Sequence, residues 1–235
     1  MFEESKEFSI YKIFGLTEQE LASIQTLAER EGVEIEYEQN GLDGRLILSN
    51  CSLTSVDFEQ IVAQVLAVAE GKVYADFDTT LEECVVKTAI DKGVRIGVAE
   101  SLTGGMICSR IVNVSGASSV LQEGLVTYTE ASKLRRLHVR SATLDSYGVV
   151  SEQVAKEMVQ GLLSDKETTV GISTTGCAGP QSDAYNTPVG LVYIGIGERN
   201  KIVAHAQMFQ GSRNTIRTCT TDYALYTVLQ YLKTL

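Results

Sequence analysis

Residues 98–106 read VAESLTGGM, an apolar run that ends in a carboxylate, two hydroxyls and a pair of glycines. VRIGVA (94–99) has the length and composition of a buried strand, and a helix is expected after the glycines. In open α/β sheets ligands bind beyond the carboxyl ends of the strands, which is where Glu100 and Ser101 fall. The stretch is therefore either an ordinary helix cap or a nucleophile held at the start of a helix.

The sequence around this stretch alternates strands with helices. Strands are predicted at LVTY (125–128), TTVGIST (168–174), VGLVYIGIG (189–197) and KIVAHAQMF (201–209), and helices from Thr79 to about Asp91, from Ser151, and from about Asn214 to Lys233. Alternation of this kind predicts an α/β domain in which helices cover a sheet that is partly parallel.

The first 77 residues have a different order. Thr17 and Glu20 form a capping box that opens a helix, Gly32 closes it, and VEIEYE (33–38) alternates like a half-buried strand. The complete order is βαββαβ, which predicts a small α+β domain of the split-βαβ type. We therefore expect two domains, residues 1–77 and 78–235, with a boundary that no proline-rich linker marks.

Composition narrows the classes of function. The 235 residues are 44% hydrophobic, enough for a substantial core, and carry a formal net charge of -10, which argues against nucleic-acid binding. No apolar run is long enough to span a membrane, and the N-terminus lacks the pattern of a signal peptide, so a cytoplasmic protein is expected.

Cysteine and histidine usage excludes further classes. The five cysteines are odd in number and contain no CxxC, which argues against disulfides and zinc fingers. The two histidines are too few for a His-rich metal site and offer little for a Ser-His-Asp triad. We expect no metal and no cofactor.

Three polar clusters follow predicted strands of the α/β domain. They are Glu100, Ser101 and Thr103 with Gly104 and Gly105, then TYTEASK (127–133), then STTGCAGP (173–180). Backbone N–H groups around the two glycines are expected to face an anion, since a helix N-terminus attracts negative charge. Taken singly, each cluster is also compatible with an ordinary polar loop.

Taken together, the clusters are recognisable. AESLTGG, YTEASK, GVVSEQVA, TTGCAGP, PVG and FQGSRNTIR resemble, in order and spacing, the C-terminal domain of the CinA family over residues 78–235. That domain is the nicotinamide-nucleotide amidase module of the PncC type. The βαββαβ half is similar to the KH-like middle domain of longer CinA proteins, whose long N-terminal molybdopterin-binding-like domain is expected to be absent here.

The resemblance implies a hydrolase that converts nicotinamide mononucleotide to nicotinate mononucleotide and ammonia. It assigns the nucleophile to Ser101 and assistance to Tyr128 and Lys133. Amide hydrolysis needs an activated nucleophile, and without a suitable histidine a neutral lysine is a sensible base. The pKa of Lys133 must then be lowered by burial or by a neighbouring cation.

The nucleotide substrate would carry a phosphate and a cationic ring. Arg213 and Arg217 lie one helical turn apart at the start of the last helix, and arginine matches phosphate geometry. The full set of expected substrate-binding residues is Glu100, Thr103, Gly104, Gly105, Thr174, Thr175, Gly176, Arg213 and Arg217.

Five residues depart from the family pattern, and one of them, Leu102 in place of a cysteine, is expected to matter little if it packs inward. Gln181 and Ser182 replace glycines, Ser212 replaces an aspartate, and Glu130 replaces an asparagine beside the expected base. A carboxylate near Lys133 would raise its pKa and oppose base catalysis. The alternative function is therefore a nucleotide-binding or regulatory protein with weak or no catalytic activity.

Two further alternatives have less support. Cys177 could serve as a thiol nucleophile, and the KH-like half raises RNA binding by analogy, although its basic residues are sparse. The expected partner is a small-molecule nucleotide, with no nucleic acid and no membrane. Relatives of the module form assemblies, so we expect a homo-oligomer.

Overall fold

A computed structural model describes residues 7–235 of the chain. The chain separates into two compact units, Met1–Thr80 and Leu81–Leu235, called here the N-terminal and C-terminal units.

The N-terminal unit has the βαββαβ order expected from the sequence. Its elements are β1 (Phe8–Phe14), α1 (Glu18–Glu31), β2 (Val33–Asn40), β3 (Asp43–Asn50), α2 (Ser55–Val68) and β4 (Val73–Ala75). The strands form an antiparallel sheet in the order β2-β3-β1-β4. Thr17 and Glu20 make the reciprocal capping box, and Gly32 ends α1 in the left-handed conformation. Ile24 and Phe58 from the two helices pack with Leu46 of the sheet in one core.

The C-terminal unit is an α/β structure around a five-stranded sheet. Its elements are α3 (Leu81–Asp91), β5 (Ile96–Glu100), α4 (Met106–Val112), β6 (Leu121–Val126), α5 (Glu130–Leu137), α6 (Ser141–Tyr147), α7 (Glu152–Leu162), β7 (Val170–Gly176), β8 (Leu191–Glu198), β9 (Lys201–Met208) and α8 (Arg213–Thr234), with a single 3-10 turn at Ala117–Ser119. Helices α5 and α6 pack with α7, whereas α3 and α4 pack with α8, and the two groups cover the sheet.

The sheet order β6-β5-β7-β8-β9 explains where a site can form. Strands β6, β5 and β7 are parallel, while β8 and β9 are antiparallel to their neighbours. Because β5 lies between β6 and β7, the carboxyl ends of all three strands meet at one edge. The α/β prediction is confirmed, and the predicted strand LVTY ends two residues early, at Val126. None of the helices in residues 7–235 combines the length and apolar character that a membrane crossing needs.

Candidate active site

Ser101 lies directly after β5, at the edge where the parallel strands end. Its N–H donates to the carbonyl of Thr174 at 3.0 Å, which ties the turn to neighbouring β7. Gly104 and Gly105 then adopt φ angles of +62° and +99°, values that a residue with a side chain rarely takes. The glycine pair therefore allows the tight turn from β5 into α4 that sets the position of Ser101.

Lys133 reaches Ser101 from α5. Its Nζ lies 2.8 Å from Ser101 Oγ and 2.8 Å from the carbonyl oxygen of Thr127. The side chain is completely buried, and burial lowers the pKa of Lys133 from 10.5 to about 8. Loss of solvation disfavours the ammonium form, so a neutral amine is accessible near neutral pH. The expected contact between Ser101 and a lysine of lowered pKa is present.

Glu130 opposes the effect of burial on the pKa of Lys133. Its carboxylate raises the pKa of Lys133 through electrostatic attraction, but this effect is smaller than that of burial. Glu130 also accepts a hydrogen bond of 3.2 Å from the hydroxyl of Tyr185. The substitution seen in the sequence therefore weakens the lowering of the pKa without reversing it.

Glu100 fills the N-terminus of α4. Its buried carboxylate accepts N–H bonds from Gly105 at 2.8 Å, Ile107 at 3.2 Å and Cys108 at 3.0 Å. The N–H of Gly104 donates to Ser101 O at 3.2 Å. The expectation that the Gly104 and Gly105 N–H groups face a bound anion is thus corrected, because a carboxylate of the chain already satisfies this helix end.

The backbone N–H of Leu102 is a hydrogen-bond donor near Ser101 that is separate from the N-terminus of α4. Within residues 7–235 its N–H has no hydrogen-bond acceptor, and the residue lines the pocket beside Ser101. A backbone N–H in the residue that follows a nucleophile is the donor that serine hydrolases of the strand–turn–helix type direct at the oxyanion.

The threonines after β5 and on β7 are held by partners within the unit. The hydroxyls of Thr103 and Thr174 form one hydrogen bond of 2.8 Å, and both side chains are fully buried. Thr175 Oγ1 donates to Val149 O at 2.7 Å. Thr175 and Gly176 line the pocket, whereas Thr103 and Thr174 support the turn behind it.

The two arginines at the start of α8 have different surroundings. Arg213 donates to Gly179 O at 2.6 Å and to Tyr128 Oη at 2.8 Å, and it lines the pocket. Arg217 donates to the carbonyls of Leu102 at 2.9 Å and Thr103 at 3.0 Å. Arg213 therefore faces the pocket, and Arg217 braces the turn that carries Ser101.

A pocket of about 230 Å³ lies at this edge of the sheet. It is lined by Ser101, Leu102, Tyr128, Val149, Val150, Thr175, Gly176, Cys177, Ala178, Gly179, Gln181, Asp183 and Arg213. A hydroxyl bonded to a buried amine thus opens into a cavity that also contains a guanidinium and a carboxylate. This arrangement has the parts needed to attack a carbonyl group.

Comparison with known proteins identifies the family of the chain. Residues 78–232 match the family model for the CinA C-terminal domain. The chain belongs to the CinA family. It is 39% identical over 191 residues to a protein of Alkaliphilus oremlandii described as competence-damage inducible, a match that covers 79% of this chain and 46% of that protein. A protein of the same description from Caldicellulosiruptor saccharolyticus is 41% identical over 71% of this chain and 41% of its own length. The matches span less than half the length of these relatives.

Solved CinA structures share the fold. A CinA superfamily protein of Klebsiella pneumoniae superposes with a TM-score of 0.64 at 27% identity, covering 66% of this chain and 97% of that protein. A competence/damage inducible protein of Agrobacterium tumefaciens gives 0.61 at 32% identity, covering 68% and 99%. These names identify the family and state no reaction.

Several pocket residues of this CinA domain were not anticipated. Val149 and Val150 lie between α6 and α7, and they reach the pocket because α7 packs on the sheet and Thr175 Oγ1 donates to Val149 O. Asp183 also lines the pocket, and the signal for it in the sequence is the departure from the family glycines at Gln181 and Ser182 just before it.

Proposed function

We propose that the C-terminal unit hydrolyses the carboxamide of nicotinamide mononucleotide through Ser101, releasing ammonia. The observation that carries the proposal is the contact of 2.8 Å between Ser101 Oγ and the buried Nζ of Lys133, beside a pocket. The substrate is taken from the resemblance to the nicotinamide-nucleotide amidase module, whose motifs AESLTGG and YTEASK contain Ser101 and Lys133 and lie within the matched residues 78–232.

The first half-reaction follows from the positions of these groups. Neutral Lys133 accepts the proton of Ser101 while Oγ attacks the amide carbon, and the carbonyl oxygen becomes an oxyanion. The unused N–H of Leu102 is a donor for that oxyanion. Protonated Lys133 then gives its proton to the departing nitrogen, so ammonia leaves and an ester to Ser101 remains.

Hydrolysis of the ester completes the cycle. Lys133, neutral again, takes a proton from a water molecule that attacks the ester carbon, and then returns a proton to Ser101 Oγ. The products are the nicotinate nucleotide and the free enzyme. Thr127 O stabilises Lys133 throughout, because it accepts a hydrogen bond of 2.8 Å from Nζ.

Arg213 and Tyr128 are assigned to the phosphate of the substrate. Arg213 is the cation of the pocket wall, and its bonds to Gly179 O and Tyr128 Oη fix the guanidinium. Because Tyr128 Oη accepts from Arg213, its own proton is available to donate to a ligand. The sequence resemblance assigned Tyr128 to direct assistance of Ser101, whereas in this proposal its hydroxyl acts together with Arg213, from which it accepts a hydrogen bond of 2.8 Å.

The test is ammonia release from nicotinamide mononucleotide by wild type, Ser101→Ala and Lys133→Met. Both substitutions should abolish release. Matched controls are Ser132→Ala, next to Lys133 on α5, and Lys156→Met, an α7 lysine paired with Glu152, which should both retain it. Wild type that releases no ammonia, yet melts at a higher temperature with the nucleotide, would establish the alternative of a non-hydrolysing binding protein.

A further inference from the structure

Asp183 introduces a negative charge into the pocket wall that the proposed mechanism does not use. It belongs to the loop between β7 and β8, directly after Gln181 and Ser182, which replace glycines of the family pattern. Among the residues that line the pocket, Asp183 and Arg213 alone carry charge, one negative and one positive.

The Asp183 carboxylate is held in place by its own loop. Oδ1 accepts the N–H groups of Tyr185 at 3.0 Å and Thr187 at 2.9 Å, and Oδ2 accepts the Thr187 hydroxyl at 2.8 Å. The loop is in turn attached to α5 by the bond from Tyr185 Oη to Glu130. Three hydrogen bonds fix the direction of the charge, so no ordering of this side chain is needed when a ligand binds.

A pocket with one fixed anion and one fixed cation favours a ligand that carries both charges. Nicotinamide mononucleotide is such a ligand, because its pyridinium ring is positive and its phosphate is negative. Arg213 is already assigned to the phosphate, which leaves Asp183 for the ring. A favourable pairing of both charges also discriminates against similar molecules that lack one of them.

We infer that Asp183 is a specificity-determining residue that selects amides attached to a cationic ring. The inference rests on the proposed function for the identity of the substrate. It predicts weak binding of an amide nucleotide of the same shape with an uncharged ring. The reduced form of nicotinamide mononucleotide is that molecule, since it keeps the amide, ribose and phosphate but has a neutral dihydropyridine ring.

The experiment measures binding of the oxidised and reduced nucleotides by calorimetry in the Ser101→Ala background, where no turnover occurs. Asp183→Asn is added to remove the charge, because an asparagine oxygen still accepts the two N–H bonds and its NH₂ group can donate to the Thr187 hydroxyl. Asp145→Asn, an exposed change of equal charge on α6 outside the pocket wall, is the matched control. Ammonia release by the Ser101-containing protein is followed in parallel.

We expect the oxidised form to bind about tenfold more tightly than the reduced form, and Asp183→Asn to remove most of that preference. Asp145→Asn should leave the preference unchanged. A preference that survives Asp183→Asn, or an equal loss of affinity for both forms, would overturn the inference and leave the amidase proposal intact. Cation-selective binding without ammonia release would support the inference and contradict the proposed reaction, whereas binding of neither form would overturn both.

Discussion

The base role proposed for Lys133 makes a quantitative prediction about the pH dependence of kcat/KM. With a pKa of about 8, about a tenth of Lys133 is neutral at pH 7, against roughly three parts in ten thousand for an ordinary lysine. Burial thus raises the concentration of the reactive amine roughly 300-fold. Because kcat/KM reports the free enzyme, it should rise about tenfold per pH unit up to pH ~8 and then level off.

Glu130→Gln tests the same group from a second direction. Glu130 raises the pKa of Lys133, so removing its charge should lower that pKa and move the rise in kcat/KM to lower pH. Glu130 is exposed, so solvent screens its attraction to the buried Lys133. A screened interaction of ~0.2–1 kcal/mol corresponds to a shift of ~0.2–0.7 pH unit. The glutamine oxygen can still accept the hydrogen bond from Tyr185.

The assay is ammonia release at subsaturating substrate between about pH 6.5 and 9.5, above the second ionisation of a phosphate monoester near ~6. Glu152→Gln, which removes an exposed charge from α7, is the control and should not move the profile. A flat profile over this range, or a shift to higher pH in Glu130→Gln, would refute Lys133 as the base.

Three further predictions concern stability. The pKa of Lys133 is about 8 in the folded protein and has the ordinary value of 10.5 in the unfolded chain. Below pH 8 the buried ammonium group lowers the free energy of unfolding, and this cost is gone above pH 10.5, where Lys133 is neutral in both states. Relative to Lys133→Met, the free energy of unfolding of wild type should therefore increase by roughly 3 kcal/mol across that interval in urea titrations, and a constant difference would contradict the lowered pKa. Gly161→Ala places a Cβ 2.3 Å from Leu137 O. The substitution should lower the free energy of unfolding by about 1–3 kcal/mol and reduce kcat, because it displaces α5. An unchanged urea denaturation curve would contradict this prediction. Glu100→Gln removes the negative charge that accepts three N–H bonds. In the same measurement it should lower the free energy of unfolding by about 1–3 kcal/mol. An unchanged free energy of unfolding would show that α4 needs no negative charge at its N-terminus.

The sequence was most informative where local rules act alone. Thr17, Gly32 and Ser151 mark helix ends by hydrogen bonds and conformations within a few residues, and the structure places them as helix caps. The strand alternation likewise predicted the α/β sheet. The short helices α5 and α6 were not predicted as separate elements, because seven or eight residues provide too few turns for a clear apolar period.

The residues of the candidate site were predicted correctly in part, because some contacts depend on how the helices pack. Ser101 and Lys133 are brought together by parallel pairing of β5 and β6. The resemblance to the CinA C-terminal domain implied that the two residues act together, whereas the strand pattern predicted only that both follow strands. The engagement of Arg217 by the carbonyls of Leu102 and Thr103 depends on how α8 packs, and a sequence motif does not record that packing. Arg213 and Arg217, which carry the same charge in one motif, therefore have different contacts: Arg213 lines the pocket and Arg217 binds the turn after β5.

The position of Glu100 bears on the whole mechanism. Its carboxylate satisfies the N-terminus of α4, so neither a phosphate nor an oxyanion has the Gly105 N–H available there. In the proposed reaction, the negative charge that develops on the substrate must be met by other donors. The Leu102 N–H, which has no acceptor among residues 7–235, is such a donor next to Ser101. Glu100 and Arg217 hold the two sides of the turn that presents it, one through N–H groups and the other through carbonyls. The Glu100 carboxylate at this helix end therefore stabilises the turn that positions Ser101, while the donor proposed for the oxyanion, the Leu102 N–H, lies three residues before Gly105 in the chain.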